Sequence, residues 1–127
     1  MKKTLFSLLI VAVAALFIQG CAAKEEKAAH GDLKGKTTTI ATGDFYEACD
    51  KWTPGDKVNF TFTSSKPVMF DVHYHEKHAK AYAIEQTLVD KFEGSFIVKS
   101  EDIHCCMWKN DNDKFVTLTY DMTVEKQ

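Results

Sequence analysis

The 127-residue chain contains no arginine; every basic residue is a lysine. With neither a basic stripe nor an arginine cluster, it lacks the electrostatic footprint of a nucleic-acid binder. No apolar run reaches the roughly 20 residues that a membrane-spanning helix needs, since the candidate from Leu5 to Ile18 stops short. Also missing are Cys-x-x-Cys, His-Glu-x-x-His, the Cys-x-x-Cys-His haem site, and a cupredoxin-like Cys followed closely by His and Met. There is no nucleophile elbow or phosphate loop, and no internal repeat. Two pairs come nearest to catalytic machinery: Cys106 with His104, and Asp71 with Glu76. An imidazole two residues along a strand points parallel to the thiol, and Asp71 and Glu76 have opposite strand parity. The chain therefore reads as a non-enzyme.

What is present begins with an address. Met1-Lys2-Lys3, the apolar run and Gln19-Gly20-Cys21 form a charged n-region, a short h-region and a small residue before a cysteine. This segment resembles the lipobox of bacterial lipoproteins, with Ile18, Gly20 and Cys21 in the matching places. The resemblance implies removal of residues 1–20 as a signal peptide and acylation of Cys21. Several acyl chains make a stable membrane anchor where one would not. By the same resemblance, Ala22 after the cysteine, rather than Asp, implies the outer membrane of the cell envelope, facing the periplasm. An ordinary secretory signal with an incidental cysteine is the alternative. Loss of residues 1–20 leaves 107 residues and, without Lys2 and Lys3, takes the formal charge from −2 to −4. That length suits one domain with one core. Residues 21–36, charged and nearly free of large apolar side chains, read as a flexible tether carrying a solvated His30. Residues 37–127 are then the folded domain.

With Cys21 lipidated, Cys49, Cys105 and Cys106 remain, an odd number for an oxidising compartment. One disulfide and one leftover thiol is the economical solution. Pairing Cys49 with Cys105 or Cys106 closes a loop of some 57 residues, worth about 4 kcal/mol in the chain-entropy model. A vicinal Cys105–Cys106 bridge is strained. The leftover cysteine is a buried apolar filler or a soft metal ligand.

From Thr37 the composition turns to strand formers. Thr37–Ile40, Phe45–Cys49, Val58–Thr63, Phe70–His75, Ser95–Val98, Ile103–Trp108 and Phe115–Val124 read as strands. Turn chemistry separates several of them, with Pro54-Gly55 and Ser64–Pro67 the clearest cases. Within the strands Val58, Phe60 and Phe62, then Phe70, Val72 and Tyr74, then Val116, Leu118, Tyr120, Met122 and Val124 fall on core faces. Lys77–Phe92 is ambiguous: Ala81, Ile84 and Leu88 recur at helical spacing, but tertiary context can turn such a segment into a strand. The expected class is all-β, an antiparallel β-sandwich.

The succession Gly55-Asp56-Lys57-Val58, Pro67-Val68-x-Phe70, Gly94-Ser95-Phe96, Cys105 to Asn110 and Val116 to Tyr120 resembles the GOLD (Golgi dynamics) β-sandwich family and its bacterial relatives. The likeness covers about Thr39 to Val124 and rests on order and spacing. It implies a non-catalytic binding module and a disulfide from an early strand to the Cys-bearing late strand, here Cys49 to Cys105. The His-rich strand departs from the family pattern.

That strand, Phe70 to His78, holds three of the five histidines. Asp71, His73 and His75 share the face opposite Phe70, Val72 and Tyr74, and the two histidines are about 6.7 Å apart along the strand. Both imidazoles can converge on one ion, with Asp71 as a ligand or as an orienting partner. His78 lies just past the strand and can fold back. His104, Cys105, Cys106 and Met107 supply an imidazole, thiols and a thioether elsewhere. Imidazole suits zinc and Cu(II); thiolate and thioether suit Cu(I). The expected cofactor is copper or zinc at His73 and His75, with Asp71, His78 and His104 as further ligands and Cys106 and Met107 as soft ones. The competing expectations are a solvated polar strand face and a metal-free role in binding an envelope protein partner.

Overall fold

A computed structural model describes residues 32–127; the expected signal peptide, Cys21, His30 and most of the expected tether lie outside the described residues. The described residues form six strands: β1 (Leu33–Ile40), β2 (Phe45–Asp50), β3 (Lys57–Glu76), β4 (Ala79–Ile97), β5 (His104–Lys109) and β6 (Val116–Glu125). No helix occurs among the described residues. The protein is all-β, and every strand pair is antiparallel. β1 begins at Leu33, ahead of the expected domain start, because Leu33 pairs with Met122 of β6.

β3 organises the rest. Its apolar alternation buries Val58, Phe60 and Phe62, then Val68, Phe70 and Val72, on one face. Ser64–Pro67, expected to reverse the chain, instead bends it. Four residues of β3 stand there against Asp90 alone of β4, between the Thr63–Lys91 and Val68–Val89 pairs. Such an excess is a bulge, which bends a strand without ending it. Ser64 Oγ donates to the Lys66 carbonyl at 2.6 Å and Ser65 Oγ accepts from Thr117 N at 3.0 Å, fixing the bend. Pro67, with no N–H to offer a ladder, is tolerated there.

The bend gives β3 different neighbours on its two halves. Lys57–Ser64 pairs with β6, and Met69–Tyr74 pairs with β5. β4 runs along the other side of both halves. The strand order is β1-β6-β3-β5-β2, with β4 on β3, so the sheet curls over on itself. The core lies inside the curl. Trp108 of β5 meets Phe62 of the first half at 5.6 Å and Tyr120 of β6 at 5.1 Å, although β5 and β6 are not paired.

The ambiguous segment is a strand. Lys77 and His78 both adopt positive φ (49° and 68°), the conformation of a two-residue hairpin turn, and β4 starts at Ala79. Ile84 packs on the core, whereas Leu88 points outward and is 62% exposed. Helical spacing had placed the two on one face. Pairing along the whole of β3 outweighs the local helical preference.

Candidate functional site

The face of the sheet opposite the core carries the candidate chemistry. Register on β3, β5 and β2 places two rows side by side. Asp71, Met107 and Glu47 form one row; His73, Cys105 and Cys49 form the next. Strands about 4.8 Å apart bring side chains of three neighbours within reach of one another.

His73 is buried at 3% exposure, and Asp71 is fully buried beside it. His73 Nδ1 lies 2.7 Å from Asp71 Oδ1. A carboxylate only accepts, so Nδ1 carries the proton and donates. The second oxygen, Oδ2, accepts from Gln86 Nε2 at 3.3 Å and faces Lys80 Nζ at 3.7 Å. A buried carboxylate needs such partners. With Nδ1 engaged, His73 Nε2 points to Glu47 Oε1, 3.6 Å away. Nε2 and the Glu47 carboxylate oxygen face each other across a gap that a proton on Nε2 or a cation between them satisfies. His75 lies on the same side, exposed, with its ring 5.5 Å from that of His73 and nearly perpendicular to it.

The Cys49–Cys105 disulfide forms the floor of the second row, between residues directly opposite on β2 and β5 with Cα atoms 4.1 Å apart. A carboxylate oxygen of Glu47 and the two sulfurs all lie within 4.8 Å of one another. Met107 is half-buried in the first row.

The other candidate ligands fall elsewhere. His78 sits exposed in the β3–β4 turn. His104 lies opposite Tyr74, on the core face, 1% exposed and stacked on Tyr74 at 4.7 Å and Phe96 at 5.9 Å. Its Nδ1 donates to the Asp102 carbonyl at 2.8 Å, and Nε2 has no partner among the described residues. Burial pushes its pKa below the ordinary 6.5, partly offset by that carbonyl, so it is held neutral. Cys106 is the free cysteine, opposite Val72 in the core. Burial, and secondarily the Asp71 charge, push its thiol well up, making it an inert filler. The sequence run His104–Met107 is thus divided by strand parity: His104 and Cys106 face inward, Cys105 and Met107 face the site.

Sequence reasoning missed Glu47. Its signal was its parity with Cys49: once that cysteine is bonded to β5, the carboxylate two residues earlier must point to the same face.

No protein-family model matches the chain, and no curated protein matches it. Among solved structures it is similar to the solution NMR structure of a de novo designed double-stranded β-helix, at 13% identity and a TM-score of 0.37. That match covers 73% of this chain and 100% of the designed one.

Proposed function

We propose that this is a lipid-anchored, non-catalytic binding protein of the bacterial cell envelope whose His73-bearing sheet face holds a copper or zinc ion. The lipobox-like segment ending at Cys21 supports the address, on the outer membrane facing the periplasm. The order of its strand motifs supports a GOLD-like β-sandwich as the finer description of the curled sheet. His73 Nε2 and Glu47 are the paired ligands, with Asp71 behind His73 as its orienting partner, and exposed His75, its ring 5.5 Å from that of His73, turns in as the third. The observation that carries this is the Asp71–His73–Glu47 line: Nδ1 is committed to a buried carboxylate at 2.7 Å while Nε2 faces a second carboxylate at 3.6 Å. Carboxylate-held histidines of this kind are the usual metal-ligand arrangement.

The purified, tag-free chain is expected to take up about one equivalent of Cu(II) or Zn(II) by isothermal titration. A His73→Ala/His75→Ala variant keeps its β-sheet circular dichroism and loses that uptake. Equal, weak binding by both chains would sink the proposal. The second reading, binding of an envelope protein, draws on five exposed large apolar side chains, Phe45, Leu88, Ile97, Ile103 and Phe115. It expects specific co-purification from envelope extracts that is indifferent to chelator.

A further inference from the structure

We infer that the Cys49–Cys105 disulfide is the closed form of a second, thiolate metal site, and that its two-electron reduction opens a four-ligand position for a zinc-class ion. The ligands are Cys49 Sγ, Cys105 Sγ and a Glu47 carboxylate oxygen, which form one cluster; His73 Nε2, 3.6 Å from Glu47 Oε1 but outside that cluster, completes the set once the parted sulfurs turn toward it. The inference shares His73 and Glu47 with the function proposed above and so rests on the same face, but it concerns the reduced chain alone.

Three observations lead here. First, the sulfurs and the Glu47 oxygen already lie within 4.8 Å of one another. Second, His73 of β3 lies directly opposite Cys105 of β5, with Nε2 3.6 Å from Glu47 Oε1. Nitrogen and oxygen ligands about 2.0–2.2 Å from a tetrahedral zinc stand roughly 3.3–3.6 Å apart, so this pair already has the needed spacing. Third, Asp71 holds His73 from behind through Nδ1, so that Nε2 is the ring atom turned toward Glu47. A donor set of two thiolates, imidazole and carboxylate suits zinc, and differs in softness from the nitrogen and oxygen set of the oxidised face.

The exchange balances with a dithiol as reductant. Its thiolate attacks one sulfur of the bridge, the mixed disulfide is resolved by its second thiol, and the dithiol leaves as its own disulfide. Cys49 and Cys105 then carry two thiol protons, which the incoming ion displaces. Cys49 is half-buried and offers the approach. Oxidation by a disulfide reverses the sequence and expels the ion. Cys106 takes no part, since it faces the core on the other side of the sheet.

The test uses Co(II), a spectroscopic stand-in for zinc, on the full-length chain in detergent, before and after reduction by a phosphine. The reduced chain is expected to develop thiolate-to-cobalt charge transfer and intense tetrahedral d–d bands at one equivalent, all lost on adding Zn(II). The oxidised chain shows no charge transfer. His73→Ala and Glu47→Gln in the reduced chain each weaken Co(II) affinity by about 10- to 100-fold. Cys49→Ser/Cys105→Ser abolishes the charge-transfer band while circular dichroism reports the same sheet. A reduced chain that shows no band, whether it stays folded or unfolds without refolding on Co(II), overturns the inference. So does a band whose affinity ignores both His73→Ala and Glu47→Gln. Failure of the oxidised chain to bind Cu(II) or Zn(II) removes the function proposed above and leaves this result standing.

Discussion

Asn110 has no exposed surface, yet its side chain is fully engaged. Nδ2 donates to the Ile40 carbonyl at 2.9 Å and the Lys114 carbonyl at 2.8 Å, while Oδ1 accepts from Asn112 N at 2.9 Å. It therefore ties the end of β1 to the β5–β6 loop. Asn110→Ala strands the buried Ile40 carbonyl and is expected to cost about 1–3 kcal/mol in urea unfolding. Asp56 gives a second residue-scale expectation. A hydrogen bond from Lys126 Nζ at 2.7 Å is the largest influence holding its pKa below the ordinary 3.8, against the opposing effect of burial. A carboxyl depressed in the folded state stabilises the fold above its unfolded pKa, and that contribution disappears as pH falls through the folded value. Asp56→Asn should therefore flatten the acid limb of a stability–pH profile below pH 3.8 and leave its shape near neutrality unchanged. At this scale the sequence was partly legible. The same-face relation of Asp71, His73 and His75 follows from strand parity alone. The inward turn of His104 and Cys106, and the arrival of Glu47, depend on which strand lies beside which, and no local pattern encodes that.

At the scale of the element, β3 and β4 show what alternation can and cannot tell. Val58, Phe60 and Phe62 are readable as core because a half-buried strand must repeat every two residues. The passage through Ser64–Pro67 is not, since the same residue types serve a tight turn and a bulge. β4 is harder still, because its helical spacing is genuine and only the partner strand overrides it. Gly94 marks where that partnership is tightest. It pairs with Phe60, and a Cβ added to it would lie 2.8 Å from Phe92 Cε1 and 3.4 Å from Phe60 Cζ. The Phe60 and Phe92 rings stack at 5.8 Å. Gly94→Ala displaces that stack and is expected to cost about 1–3 kcal/mol, visible as a lower urea midpoint with unchanged slope.

At the scale of the whole molecule, a hairpin supplies only the β3–β4 pair among the described residues; every other pairing there joins segments distant along the chain. The disulfide, with its partners 56 residues apart, is the covalent counterpart of those distant pairings. Its reduction should lower stability by about 4 kcal/mol in the chain-entropy model, measurable as the shift between urea curves taken with and without a phosphine. Addition of Zn(II) to the reduced chain should recover part of that loss, because an ion bound only by the folded state is linked to folding. The all-β class and the early-to-late disulfide were both within reach of the sequence, the first from composition and turns, the second through family likeness. The curl was not, because it arises from one bend shared by two sets of neighbours.

The bridge also fixes how the molecule comes apart when cut. Its covalent ring encloses all of β3 and β4, including the Lys77-His78 hairpin, and leaves β1 and β6 outside. A protease that clips the exposed hairpin tip therefore does not release a fragment. The nicked protein migrates as one species on a non-reducing gel and as two after reduction, so separating the two halves of the domain requires both a peptidase and a reductant.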